Sequence, residues 1–151
     1  MTDLFHYTDC GLDYVWLLNG FTFHRTPHGD GVSIKDARAL HARLALDMIA
    51  QPHPLQGQDV RFLRGLLHVS QEGLARVLRQ QRGSVARWEA EPNKDIPGAA
   101  DSALRMFYAL KAGGHDIAVK VVDLLQEIDE LQHEPHRICM RNDGEWLPTA
   151  A

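Results

Sequence analysis

The sequence predicts a mainly α fold of the α+β type. It would hold a core of short helices, trailing helices, and a small β-hairpin element at the N-terminus that the C-terminal tail can join. Three observations predict it. Apolar residues recur every three or four positions over long stretches after residue 33, the spacing of a helix face. Before that, residues 12 to 32 are rich in aromatic and β-branched residues around an Asn-Gly pair. Pro and Gly clusters at 51 to 54, 92 to 98 and 113 to 114 cut the helical stretch into pieces of ordinary helix length.

Taken in order, Tyr14–Leu18 and Phe21–His24 read as two strands of a hairpin. Asn19-Gly20 between them suits a turn that needs positive φ at both positions. On that reading Trp16, Phe21 and Phe23 are core aromatics. Residues 33 to 50 read as a helix capped by Ser33, with Asp36 at the capping-box spacing. Ile34, Ala37, Leu40, Leu44 and Met48 form its apolar stripe. Gln51-Pro52-His53-Pro54 stops it. Three short helices follow within residues 58 to 89, then a loop at 91 to 98. A helix over 100 to 112 ends at Gly113-Gly114, and another spans 115 to 132 with an acidic end that includes Glu127, Asp129, Glu130 and Glu134. That end opposes the helix dipole and is expected to fray. Ile138 to Leu147 form a second hairpin candidate around Asn142-Asp143-Gly144. The expected division is 1–54, 55–112 and 113–151.

The 151 residues are 44% apolar, enough for a packed core. No apolar run is long enough to span a bilayer, and residues 1 to 11 lack a signal pattern, so a cytoplasmic protein is expected. Cys10 and Cys139 are too few to staple the fold, which fits a reducing compartment. The net charge of −4 is unevenly spread. Residues 57 to 90 hold six arginines against Asp59, Glu72 and Glu89, while both flanks are acidic. A basic segment between acidic flanks is what a chain shows when only its middle meets phosphate.

That middle carries the motif. Ser70 suits an N-cap, Leu74 and Leu78 give an apolar side, and Ala75 is small enough for a second helix to pass close. Val85 and Trp88 lie three apart and supply the inner face of the next helix. Val60, Leu63, Leu66 and Leu67 supply a first helix. Ser70-Gln71, Leu74-Ala75, Leu78, Val85 and Arg87-Trp88-Glu89 together resemble the Xre/Cro helix-turn-helix family of transcriptional regulators. With Arg61-Phe62-Leu63-Arg64 upstream, and Ile96-Pro97-Gly98 with Ala100-Asp101 downstream, the stretch is similar to the DNA-binding half of antitoxins of the MqsA (YgiT) class.

The resemblance implies a repressor that binds double-stranded DNA as a homodimer on an operator. It implies a recognition helix from about Arg82 to Glu89 in the major groove. Arg82 and Ser84 would face base edges with Gln81 at the helix start, and Gln71, Arg79 and Arg87 would hold phosphates. Arg64 on the first helix would pair with Glu89 on the third. Arg79-Gln80-Gln81 stands where relatives usually have Gly-Val-Ser. Gln81 thus replaces the usual cap, and Gly83 falls inside the expected helix, where glycine costs about 1 kcal/mol relative to alanine. The alternatives are an antitoxin that binds a protein toxin and represses its own operon, and a protein-interaction module with a decayed helix-turn-helix. An enzyme is not expected, because no nucleophile elbow, phosphate loop or paired acid and base is present.

Neither a cofactor nor a metal is expected. His6 with Cys10, and His24 with His28, have an i, i+4 spacing, but the chain lacks the paired cysteines of a zinc knuckle. The apolar helices around Phe107 and Val121 are the preferred dimer contact.

Overall fold

The computed structural model describes residues 3–127 and 137–150 and divides the chain into two compact units. One gathers Met1–Leu44 and His136–Ala151, the other Ala45–Pro135. The division falls within a helix, after Leu44.

The first unit is built on a four-stranded sheet. β1 (Phe5–His6) pairs antiparallel with β2 (Val15–Leu17). β2 pairs in parallel with β5 (Ile138–Asn142), which pairs antiparallel with β6 (Trp146–Pro148). The C-terminal tail therefore joins the N-terminal strands. Val15, Leu17, Ile138, Cys139, Met140 and Trp146 are buried along it. A second, two-stranded sheet pairs β3 (Phe21–Thr26) with β4 (Gly29–Ile34).

The expected N-terminal hairpin is corrected by this pairing. The strands on either side of Asn19-Gly20 belong to different sheets, and the real hairpin turns at Pro27-His28, with Thr26 opposite Gly29. The reason is a distant partner. The Asn19 carboxamide accepts from the Asn142 amide at 2.6 Å and donates to its carbonyl at 3.3 Å, docking the turn on β5. Gly20 has φ +81°, and a Cβ there would come within 2.4 Å of the Trp146 ring. The pair serves a close approach rather than a two-residue turn. Phe23 is 66% exposed, and Trp16 and Phe21 are half-buried, so the expected aromatic core is also corrected. The β3–β4 ribbon is largely exposed along both strands.

β4 also displaces the expected start of the first helix. Ser33 pairs with Thr22 in the ribbon, and Ile34 with Phe21. The helix α1 runs Ala37–Ala50, and Asp36 Oδ1 accepts from the Ala39 amide at 3.3 Å. The strand wins because Ser33 and Ile34 find cross-strand partners that a helix start would forfeit. Leu40, Leu44 and Met48 are buried, as their spacing predicts.

The second unit contains the end of α1, α2 (Gly57–Leu67), α3 (Gln71–Val77), α4 (Ser84–Ala90), α5 (Gly98–Tyr108) and α6 (Gly114–Glu127). A π-helical turn, Ala109–Gly113, links the last two. The Asp59 carboxylate accepts from the Gln56 amide at 2.8 Å, satisfying a donor at the start of α2. Val60, Leu63, Leu74, Ala75, Leu78, Val85, Ile96, Ala100 and Leu104 are buried. Residues 128–132 of the expected last helix, with Asp129, Glu130 and Glu134 of its acidic end, lie outside the described residues.

A charged side chain occupies the same core. Arg105 is fully buried and donates from Nε to Asp101 Oδ1 at 2.5 Å. It also donates to the carbonyls of Ile49 at 2.9 Å, Gln51 at 2.7 Å and His53. Asp101 Oδ2 accepts from the Leu55 amide at 2.6 Å. The carbonyls left open where α1 ends thus find a guanidinium instead of water.

Candidate functional site

The site is the α3–α4 pair with the turn between them, held by α2. Ser70 Oγ accepts from the Gly73 amide at 2.9 Å and caps α3. α3 closes with the Gln80 amide on the Ala75 carbonyl at 2.9 Å and the Arg79 amide on the Arg76 carbonyl at 3.2 Å. This paired closure needs a left-handed residue, and Arg79 takes it at φ +57°. Glycine would fit that conformation without a Cβ penalty.

α4 begins later than the sequence predicts. Gly83 is its N-cap at φ +87° and ψ −8°, a conformation that starts the helix at Ser84 and leaves Gln81 and Arg82 in the turn. Gln81 contributes its carbonyl, which accepts from the Ser84 amide at 3.1 Å, rather than a side-chain cap. Gly83 is therefore not a weak point inside a helix but a residue the turn requires.

The expected base and phosphate contacts separate into exposed and buried groups. Arg79, Gln81, Arg82 and Arg87 are exposed, and Arg79 and Arg82 form no ion pair among the described residues. Ser84 is only 5% exposed, and its Oγ accepts from Arg87 Nη2 at 3.0 Å. The late helix start turns Ser84 inward, where its hydroxyl holds the Arg87 guanidinium. Gln71 is exposed, with Nε2 donating to Glu89 Oε1 at 3.2 Å.

Arg64 and Glu89 form a two-pronged pair between α2 and α4. Nε reaches Oε2 at 2.7 Å and Nη2 reaches Oε1 at 2.9 Å, while Nη1 donates to the Val69 carbonyl at 3.2 Å. The hydrogen bonds that Arg64 donates to the Glu89 carboxylate raise its pKa above the ordinary value. The fork ties α4 to α2 and fixes how the turn and Arg87 are presented.

Sequence reasoning missed two features of this unit. Arg105 carried no signal, because an arginine inside a helical stretch reads as surface. A cleft of about 570 Å³ beside α4, with Trp88, Ile96 and Pro97 in its wall, was not legible because its lining comes from two segments with no shared periodicity. Among the described residues, no group of three or more His, Cys, Asp or Glu gathers where a metal could sit, and no helix is long and apolar enough to cross a membrane. Comparison with protein families, curated proteins and solved structures finds no match in any of the three.

Proposed function

We propose that this chain is a sequence-specific DNA-binding transcriptional regulator that represses from an operator as a homodimer. One observation carries the reading. Three exposed arginines, Arg79, Arg82 and Arg87, fall within nine residues on and beside α4, and a half-buried fork from Arg64 to Glu89 anchors that helix. Cations fixed on a rigid element and unmatched by carboxylates suit a phosphate backbone. Arg82 reads a guanine edge from the turn, Arg79 and Arg87 hold phosphates, and Gln71 adds a contact at the start of α3.

The test is binding to the protein's own promoter, followed by fluorescence anisotropy across a salt series. Binding should weaken steeply with salt. Arg82→Ala should lower the preference for the promoter over unrelated duplex, whereas Arg87→Ala should weaken both about equally. Promoter affinity that is absent, or indifferent to salt, overturns the proposal.

A second reading, the antitoxin, is favoured by Phe23. That ring is 66% exposed in the first unit and lies 5.4 Å from Phe21 and 5.6 Å from Phe5, centroid to centroid. An exposed ring backed by two half-buried aromatics suits a protein partner. Co-expression with the product of a neighbouring toxin-like gene should then give a complex that Phe23→Ser disrupts.

A further inference from the structure

A cleft of about 570 Å³ opens beside α4, between that helix and the loop leading into α5. Its size lies in the range of sites that take small organic molecules. Trp88 and Ala90 of α4 line it together with Ile96 and Pro97 of the loop, so much of its wall is apolar.

Four charged residues sit on the same wall: Arg87, Glu91, Lys94 and Asp95. They are not equivalent. Lys94 Nζ lies 3.2 Å from Glu91 Oε2, so that pair largely cancels. Asp95 is engaged in an interaction of its own. Arg87 spends one N–H on the Ser84 hydroxyl and forms no ion pair among the described residues. Its guanidinium has donors left for a planar acceptor, and a carboxylate matches that fork with two parallel hydrogen bonds.

The geometry points to a binding site for a small planar carboxylate, an aromatic acid whose ring lies against Trp88, Ile96 and Pro97 while its carboxylate pairs with Arg87. The ring removes apolar wall from water, and the carboxylate supplies the counter-charge that Arg87 lacks. The site does not rest on the DNA-binding proposal, since the ligand and the cleft meet without nucleic acid. If that proposal also holds, an acid bound here occupies an arginine assigned to phosphate and releases the operator.

The test is isothermal titration of the full chain, without DNA, using naphthalene carboxylate and its uncharged amide as probes. The carboxylate should saturate a single site, and the amide should bind about tenfold more weakly or worse, because it forfeits a charge-assisted pair. Arg87→Gln should erase the difference between the two probes while leaving the amide affinity within about twofold. Ala90→Trp, at an exposed position of the wall, should fill the cleft and abolish binding of both, with the helical circular dichroism unchanged. The inference is overturned if the carboxylate does not saturate wild-type protein up to millimolar concentration. It is equally overturned if Ala90→Trp binds the probe as tightly as wild type, or if the probes do not discriminate in wild type.

Discussion

Arg79 is held at φ +57° by the closure of α3, a conformation that costs a residue with a side chain about 1 kcal/mol. Arg79→Gly should therefore raise stability by about 1 kcal/mol, read as a later midpoint in urea unfolding, while the salt slope of DNA binding falls by about one contact. Stability and affinity moving in opposite directions is the outcome that separates a phosphate contact from a structural arginine; a variant that is less stable would refute the account of the turn. The Arg64–Glu89 fork is the converse case. Arg64→Ala leaves the Glu89 carboxylate, 6% exposed, facing Gln71 alone, and should cost about 3 kcal/mol in chemical denaturation. His41 gives a pH signature. Its Nε2 lies 2.8 Å from the Tyr7 hydroxyl, and burial lowers its pKa from the usual 6.5. A group whose folded pKa is depressed gives stability that is present above the unfolded pKa and is lost as pH falls through the folded one. The first unit should thus weaken below about pH 6.5, and His41→Gln should flatten that dependence in thermal melts followed by near-ultraviolet circular dichroism.

Among the elements, α1 depends on a residue far along the chain. Arg105→Met should leave the carbonyls at the end of α1 without their donor and the Asp101 carboxylate with the Leu55 amide but no counter-charge, in a core where Arg105 is fully buried. A loss of about 3 to 5 kcal/mol is expected, and adding Asp101→Leu should recover part of it, because the stranded carboxylate carries much of the penalty. The measurement is the denaturation midpoint of both variants. Arg105 also marks where sequence stops being legible. The short helices α2, α3 and α4 could be read because their signals are local: Ser70 as a cap, apolar residues at three and four, prolines after the last turn. Asn19-Gly20 was misread because its role depends on Asn142 and Trp146, more than a hundred residues away. Ser33 has good cap chemistry, yet Thr22 across the ribbon claimed it. Gly83 looked like a flaw in a helix because nothing local announces a left-handed N-cap. Local rules therefore gave the exposed arginines, but not where α4 starts or which way Ser84 faces.

For the whole molecule, the proposed operator binding raises the question of how a single short helix would select its site. α4 has seven residues, and a lone helix of that length reads few bases. Two copies on a symmetric operator raise the affinity of modest modules through effective concentration, and a symmetric site calls for a two-fold protein. The second unit has a surface suited to this. Leu110 is 71% exposed, and Met106, Val119 and Val122 are exposed as well, so α5, the π-helical turn and α6 carry apolar side chains with little cover. Val121, by contrast, is fully buried. A charge at Val121 would break the core of the single chain and report nothing about association, whereas Val122→Glu leaves the core intact. Light scattering at micromolar concentration should give a dimer for wild type and a monomer for Val122→Glu, with unchanged helical circular dichroism. The monomer should lose most of its promoter affinity but keep its weak, salt-dependent binding to unrelated duplex, since Arg79, Arg82 and Arg87 remain in place. A wild-type chain that stays monomeric with and without operator ends the dimer proposal. If Val122→Glu remains dimeric, the contact lies elsewhere than on α6.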